Sequence, residues 1–375
     1  MRLRAASALL SPPSCVTEGR DGWWARCTRR YPVIVRRLLQ HEADTSRRAF
    51  LSGLLCSGSA LTLGGCAGMA EGAGRLDASA LAVNSTLLVA TSRKPANDGR
   101  ASPWFGPERN PRMTFARARL TPPSTGVFSL GAVGMSDWRL DAVEPVSGQM
   151  GDLLAQASGE PDVLIYVHGF RTTFEGSVLD AARLSDGIKF RGSTMVFSWP
   201  SKAGFFDYAY DRESAVWSRD AFERALASVM SNPRATRVHI VAYSMGTMLA
   251  LEGLRQLYAR YGDAAAQRIG AVVFASPDID LDIFASSIAR LRPLAHKITV
   301  ISATNDRALA LSSRVAGGIT RVGAAEKEAL EKLGLRVVDA SGLGWGIINH
   351  DLFLSNDEVR RVVRQAVEDG RNYAG

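Results

Sequence analysis

Between residues 161 and 302 the chain alternates short runs that are apolar throughout with longer stretches whose apolar positions recur at helical spacing. The short runs are Asp162–Val167 (DVLIYV), Ser193–Ser198 (STMVFS), Arg237–Ala242 (RVHIVA), Ile269–Phe274 (IGAVVF) and Lys297–Ser302 (KITVIS). A strand that is apolar on both faces belongs in a parallel sheet covered on each side by helices. The helices are expected at about Phe174–Phe190, Asp211–Met230, Met245–Tyr261 and Ile283–Leu291, with a last one at about Asn356–Val367. The pattern therefore predicts an α/β fold with a mostly parallel central sheet, helices on both faces and right-handed crossovers.

Upstream the signal weakens. Ser85–Ser92 (STLLVATS) reads as a buried strand. Met113–Leu120 (MTFARARL) alternates apolar and polar positions, as a half-exposed strand does, and Thr121-Pro122-Pro123 ends it. Arg93–Asn110, rich in Pro, Gly and charge, reads as a loop. Residues 124–160 suggest a strand near Val127–Val133 and a short helix from Gly148 to Ala157. The expected organisation is a set of N-terminal strands and loops, 85–160, packed on a catalytic domain, 161–375. A small-residue tether, 67–84, precedes them, and no internal repeat is visible.

The first residues read as an address. Arg47 and Arg48 precede a mildly apolar run from Phe50 to Leu63, followed by small residues. This is the layout of a secretory signal, and the run is too short and too rich in Gly and Ser to span a bilayer stably. Ser46-Arg47-Arg48-Ala49-Phe50-Leu51 resembles a bacterial twin-arginine (Tat) signal. Leu63-Gly64-Gly65-Cys66 resembles a lipoprotein box in which Cys66 becomes the lipidated N-terminus. The competing reading of Cys66 is an ordinary cleaved signal with a chance cysteine. Residues 45–66 are thus expected to direct export to the periplasmic side of a bacterial envelope, with a lipid anchor. Residues 1–44, with Trp23, Trp24 and Pro12-Pro13 among their arginines, are either a long n-region or an upstream extension of the true start; the second is favoured.

Composition narrows the partners. The chain has 375 residues, 46% hydrophobic and 22% charged, a globular balance without a run of apolar residues long enough for a multi-span membrane protein. Of 45 basic and 37 acidic side chains, 10 Arg and 4 acids lie in residues 1–66, leaving 35 against 33 in the remainder. The basic excess thus sits in the leader, which argues against nucleic acid as a partner of the folded part. All four cysteines, Cys15, Cys27, Cys56 and Cys66, precede residue 67, so the folded part has no cysteine metal site. With no H-E-x-x-H and five histidines in all, neither a metal nor another cofactor is expected.

Three segments carry chemistry at the C-terminal ends of expected strands, where open α/β sheets place their sites. The first is Ala242-Tyr243-Ser244-Met245-Gly246, between a buried strand and a helix. A nucleophilic serine on so sharp a turn needs small residues two positions to either side, and Ala242 and Gly246 supply them. The bland alternative is a serine capping a helix. The second is His168-Gly169-Phe170, where the backbone can aim an N–H at a developing oxyanion. Phe170 (or Arg171) and Met245 would then give backbone donors, while His168 holds the loop and moves no proton.

The third is a base and its acid. His41 lies in the leader, His168 is taken by its loop, His239 lies within a strand, and His296 stands at the opposite end of the sheet. His350 remains, in the segment Ile347-Ile348-Asn349-His350-Asp351 after a glycine-rich stretch. Asp306, following the fifth strand, lies between Ser244 and His350 in the order Ser, acid, His. The competing acids are Asp278, Asp280 and Asp282, with Asp280 foremost; their D-I-D-L-D run otherwise ends a strand and caps the next helix.

Residues 161–366 resemble the α/β-hydrolase superfamily, and more narrowly the bacterial esterase/lipase-like family called domain of unknown function 900. V-L-I-Y-V-H-G-F, Phe197–Pro200, Asp211–Ala215, Ala275–Asp280 and Asn305–Leu309 carry the likeness; L-L-V-A-T-S-R-K and F-G-P-E-R-N extend it to about residue 85. The resemblance implies Ser244, Asp306 and His350 as a catalytic triad. Two positions depart from the expected pattern: Arg171 after H-G-F, and Ala242 in place of a glycine.

The expected function is a serine hydrolase acting on carboxylic esters, small-molecule or lipid, through an acyl-enzyme. Acyl transfer to another hydroxyl, or a non-catalytic envelope scaffold on the same fold, are the alternatives. Trp199, Phe205, Phe206, Tyr208 and Tyr210 crowd one loop, where they either wall an acyl pocket or pack on the neighbouring helix.

Overall fold

In a computed structural model of the chain, the described residues are 85–96, 102–123, 137–146, 154, 159–204, 206–343 and 356–373. They belong to the compact unit Arg75–Gly375. His350, Cys66, Phe205, the leader, the strand expected near 127–133 and nearly all of the helix expected at 148–157 lie outside the described residues.

Among the described residues nine strands form one sheet in the order β3-β2-β1-β5-β4-β6-β7-β8-β9. They are β1 (Thr86–Pro95), β2 (Phe105–Thr121), β3 (Arg139–Val146), β4 (Glu160–Val167), β5 (Gly192–Ser198), β6 (Val238–Tyr243), β7 (Ile269–Ala275), β8 (Ile298–Ser302) and β9 (Arg336–Asp339). The β1–β2 and β2–β3 pairs are antiparallel, and every pair from β1–β5 to β8–β9 is parallel. The helices are α1 (Phe174–Gly187), α2 (Tyr208–Trp217), α3 (Arg219–Met230), α4 (Met245–Arg268), α5 (Leu281–Arg290), α6 (Arg307–Val315), α7 (Lys327–Glu331) and α8 (Asp357–Asn372).

Strand periodicity splits the core in two. In β4, Val163, Ile165 and Val167 face one layer, with Phe222 and Leu226 of α3, Leu249 and Leu254 of α4 and Phe284 of α5. Leu164 and Tyr166 face the other, with Val178 and Leu184 of α1 and Val359, Val363 and Val367 of α8. Both faces being buried is what made these strands apolar throughout. From central β4 the chain crosses to β5 on one side, and later to β6 on the other. Such a reversal opens a crevice at the carboxyl ends of the strands.

Several boundaries differ from the expectation. The stretch expected as a loop, 93–110, is partly strand: Arg93 pairs with Arg109 and Pro95 with Phe105. The helix expected over Asp211–Met230 is two, α2 and α3, broken at Ser218. There the Ser218 hydroxyl donates back to Ser214 O at 2.8 Å and meets the Ser92 hydroxyl of β1 at 3.0 Å. Helix α4 runs past Tyr261 to Arg268, through a non-helical Gly262 at φ 54°. Short β9, with only Val337 of its four residues fully buried, gave too weak a pattern to be read, and edge strand β3 likewise.

Candidate active site

The turn between β6 and α4 holds Ser244 at φ 49°, ψ −122°. A non-glycine residue with positive φ is strained, and such strain persists only where the surroundings over-determine it. Here Ser244 N donates to Ala275 O at 2.9 Å, and Ser244 O accepts from Thr247 N at 3.1 Å and from Asp278 N at 3.3 Å. The serine side chain makes no capping bond to α4, so the bland reading of a helix cap is not what the geometry shows. The N-terminal end of α4, with its partial positive charge, begins at the next residue.

Glycine is required twice around this turn. A Cβ on Gly246 would meet Val167 O at 2.8 Å and come nearer still to His168 O. One on Gly169 would stand 2.9 Å from Tyr243 Cδ1 and 3.1 Å from Ser244 Cβ. The 168–170 segment and the Ser244 turn are therefore in backbone contact. Ala242, in place of glycine, is fully buried in β6 between Val167 and Phe274, where its methyl group is accommodated.

His168 is fully buried, with Nδ1 2.9 Å from Gly169 O and Nε2 accepting from Trp199 N at 3.1 Å. A neutral ring protonated on Nδ1 satisfies both. Its ring stacks on Trp199 at 4.6 Å, and Trp199 Nε1 donates to His168 O at 2.8 Å. Burial, assisted by the positive charge of Arg93, pushes the imidazole down to about 3. His168 is thus a fixed, neutral spacer of the loop.

The candidate acids separate clearly. Asp280 is half-exposed and caps α5 through Ile283 N at 2.9 Å. Asp278 is buried, and both its oxygens are engaged: Oδ2 accepts from Tyr208 Oη at 2.8 Å, while Oδ1 accepts from Ser312 Oγ at 2.6 Å and lies 3.2 Å from Arg321 Nε. Asp306 is 2% exposed and caps α6, Oδ1 accepting from Ala308 N at 2.9 Å and Leu309 N at 3.1 Å. Its Oδ2 is buried without a hydrogen-bond partner among the described residues. An orphaned buried carboxylate oxygen is costly and calls for a donor.

Phe170, beside Gly169, packs edge-on against Tyr208 with ring centroids 5.5 Å apart. Burial, with Asp278 nearby, raises the Tyr208 phenol. The aromatic loop thus divides: Trp199 is buried under His168, Tyr208 stands beside Phe170, Tyr210 donates to Pro107 O, and Phe206 is exposed. The Tyr208–Asp278–Ser312–Arg321 cluster went unrecognised in the sequence, since its members lie on four separate segments. His239 and Asp162, 3.6 Å apart, sit at the opposite end of the sheet, as does a cleft of about 320 Å³ lined by Glu160, Asp162, Ser193 and Thr236. Among the described residues no group of three or more His, Cys, Asp or Glu is placed to hold a metal, and no helix is long and apolar enough to cross a membrane.

The model of the family described as alpha/beta hydrolase of unknown function (DUF900) matches residues 149–367. An uncharacterized protein of Nostoc sp. is 24% identical over 120 residues, covering 25% of this chain and 31% of that one, so the match spans about a third of the relative's length. Solved structures similar to the chain include a cutinase-like protein from Cryptococcus sp., at 16% identity and TM-score 0.35, covering 58% of this chain and 99% of that one. Another is the catalytic core domain of an acetyl xylan esterase from Trichoderma reesei, at 12% identity and TM-score 0.33, covering 58% and 100%.

Proposed function

Since this chain belongs to the family described as alpha/beta hydrolase of unknown function, we propose that it hydrolyses carboxylic esters with Ser244 as nucleophile. The observation that carries the proposal is the left-handed Ser244, held between the end of β6 and the start of α4. Oγ of Ser244 attacks the ester carbonyl. His350 takes the hydroxyl proton and returns it to the leaving alcohol, and water then releases the acyl group by the same route. The N–H groups of Phe170 and Met245 receive the oxyanion; such a donor typically contributes about 3 kcal/mol to the transition state.

The other histidines support this assignment of the base. His168 is neutral and tied to its loop, and His239 stands at the far end of the sheet beside Asp162. The unpartnered Oδ2 of Asp306 is the acceptor an imidazole N–H needs, whereas Asp278 is saturated and Asp280 half-exposed. Cys66 is proposed as the lipidated N-terminus of an exported enzyme, checked by radiolabelled palmitate incorporation that Cys66→Ser abolishes.

The test uses the full chain, a fluorophosphonate probe and p-nitrophenyl esters of rising chain length. Labelling and turnover that vanish in Ser244→Ala support the proposal. A folded protein that neither labels nor turns over any ester refutes it and favours a non-catalytic role.

A further inference from the structure

Arg93, at the end of β1, is 1% exposed. Its Nε donates to Ser198 Oγ at 2.9 Å, and its Nη1 to Ser201 O at 3.0 Å and Gly106 O at 3.4 Å. Its Nη2 donates to Thr172 O at 2.7 Å. Burial lowers the guanidinium to about 10, with Asp211 pulling against that shift, so it remains a cation at neutral pH. A buried cation is an expensive way to stabilise a fold, and apolar replacements of buried ion networks are often neutral or better. The use of this one lies in what it joins.

Two loops meet at the guanidinium. One follows β4 and contains Gly169, Phe170, Arg171 and Thr172; the other follows β5 and contains Ser201 and Lys202. Asp211 of α2 completes the clamp, accepting from the Ser201 hydroxyl, from Lys202 N at 2.8 Å and from Arg171 N at 3.4 Å. Thr172 N donates to Ser201 Oγ at 3.2 Å, and Thr172 Oγ1 to Gly169 O at 3.2 Å. Arg171 sits at φ 60°, a left-handed conformation that the bonds on either side hold in place. Gly169, Arg171 and Thr172 are therefore pinned through their backbone groups, and Phe170 lies between them.

We propose that Arg93 is a positioning residue for the oxyanion site: through Thr172 and Ser201 it fixes the 169–172 loop so that the Phe170 N–H stays aimed beside Ser244. The inference rests on the ester-hydrolase reading. Arg93 touches no reacting atom. It acts by holding a donor at the place where charge develops, and a displacement near 1 Å is enough to cost roughly 10²-fold in rate.

The test compares the full wild-type chain with Arg93→Lys and Ser198→Ala. A lysine keeps the charge, but one ammonium cannot span Thr172 O, Ser201 O and Ser198 Oγ together. The fluorophosphonate endpoint counts intact sites, so kcat is expressed per titrated site with p-nitrophenyl butyrate as substrate. The expected result is a loss in kcat per site of roughly 10-fold or more in Arg93→Lys, with KM within about threefold, and a matching fall in the phosphonylation rate. Ser198→Ala, which takes away the acceptor of Arg93 Nε and leaves the guanidinium in place, shows the same pattern more weakly, and decides the matter should Arg93→Lys fail to fold. Unchanged kcat per site, with the loss confined to KM or to the titratable fraction, overturns the proposal and leaves Arg93 a structural residue. A wild-type chain that neither labels nor turns over ester overturns the hydrolase reading itself, and this inference with it.

Discussion

Gly246→Ala tests the contact on which the site geometry depends. The added methyl would point at Val167 O, 2.8 Å away, with His168 C at 3.1 Å and His168 O nearest of all. Ordinary carbon–oxygen contacts lie at about 3.3 Å or more. Val167 O must therefore retreat by roughly half an ångström, and His168 O by more. These are backbone atoms, and His168 is clamped by Trp199 and Gly169, so no side-chain rotation relieves the contact. Overpacking of this kind costs about 1–3 kcal/mol, or a drop in Tm of about 2–4 °C per kcal/mol in a domain of this size. The same displacement separates the Phe170 and Met245 amides, for which a loss of roughly 10²-fold in kcat is expected. The assay is kcat per fluorophosphonate-titrated site, alongside thermal unfolding. Gly253→Ala, on the same helix but directed at the Phe222 ring, is the control: it should lose stability and keep its per-site rate. A Gly246→Ala protein with wild-type kcat and Tm would refute the close approach of the two segments.

Asp306→Asn keeps an oxygen to cap α6 while replacing the orphaned Oδ2 with a donor, so the fold should hold within about 1 kcal/mol while kcat falls by roughly 10²–10⁴-fold. Asp280→Asn, measured alongside, should leave kcat within about twofold; the reverse ranking would move the acid to the β7 loop. Acid should also weaken the fold before the ordinary carboxylate range is reached. His168 is held at about 3 in the native state against an ordinary 6.5, so below pH 6.5 the unfolded chain binds a proton the native chain refuses. That amounts to about 2 kcal/mol lost between pH 7 and pH 5, from His168 alone. His239, lowered by burial, adds to the loss, while Asp211, raised by burial, opposes it at lower pH. Urea unfolding curves that coincide at pH 7 and pH 5 would contradict this.

The sequence by itself determined whatever depends on local pattern. Strands β4 to β8 were legible because burial on both faces removes polar residues from the whole run. The Ser244 turn was legible because its constraint falls on immediate neighbours, where Ala242 and Gly246 supply small side chains. The helix cap at Asp280 was likewise readable, since a cap bonds within three residues.

What only the tertiary structure decided concerns groups brought together from afar. Arg93 sat in a stretch rich in Pro, Gly and charge that resembled a loop, and nothing local shows that its guanidinium reaches Thr172 and Ser201. The break at Ser218 coincides with a contact to Ser92, on a strand more than a hundred residues away. Asp280 and Asp306 both follow strands, lie between Ser244 and His350 and cap helices, so local pattern does not separate them and the choice of Asp306 came from the family resemblance. Their difference lies in burial and in one unpaired oxygen, set by the elements packed around each carboxylate. Local pattern records which face of an element is buried; it does not record which polar groups meet once the chain has folded.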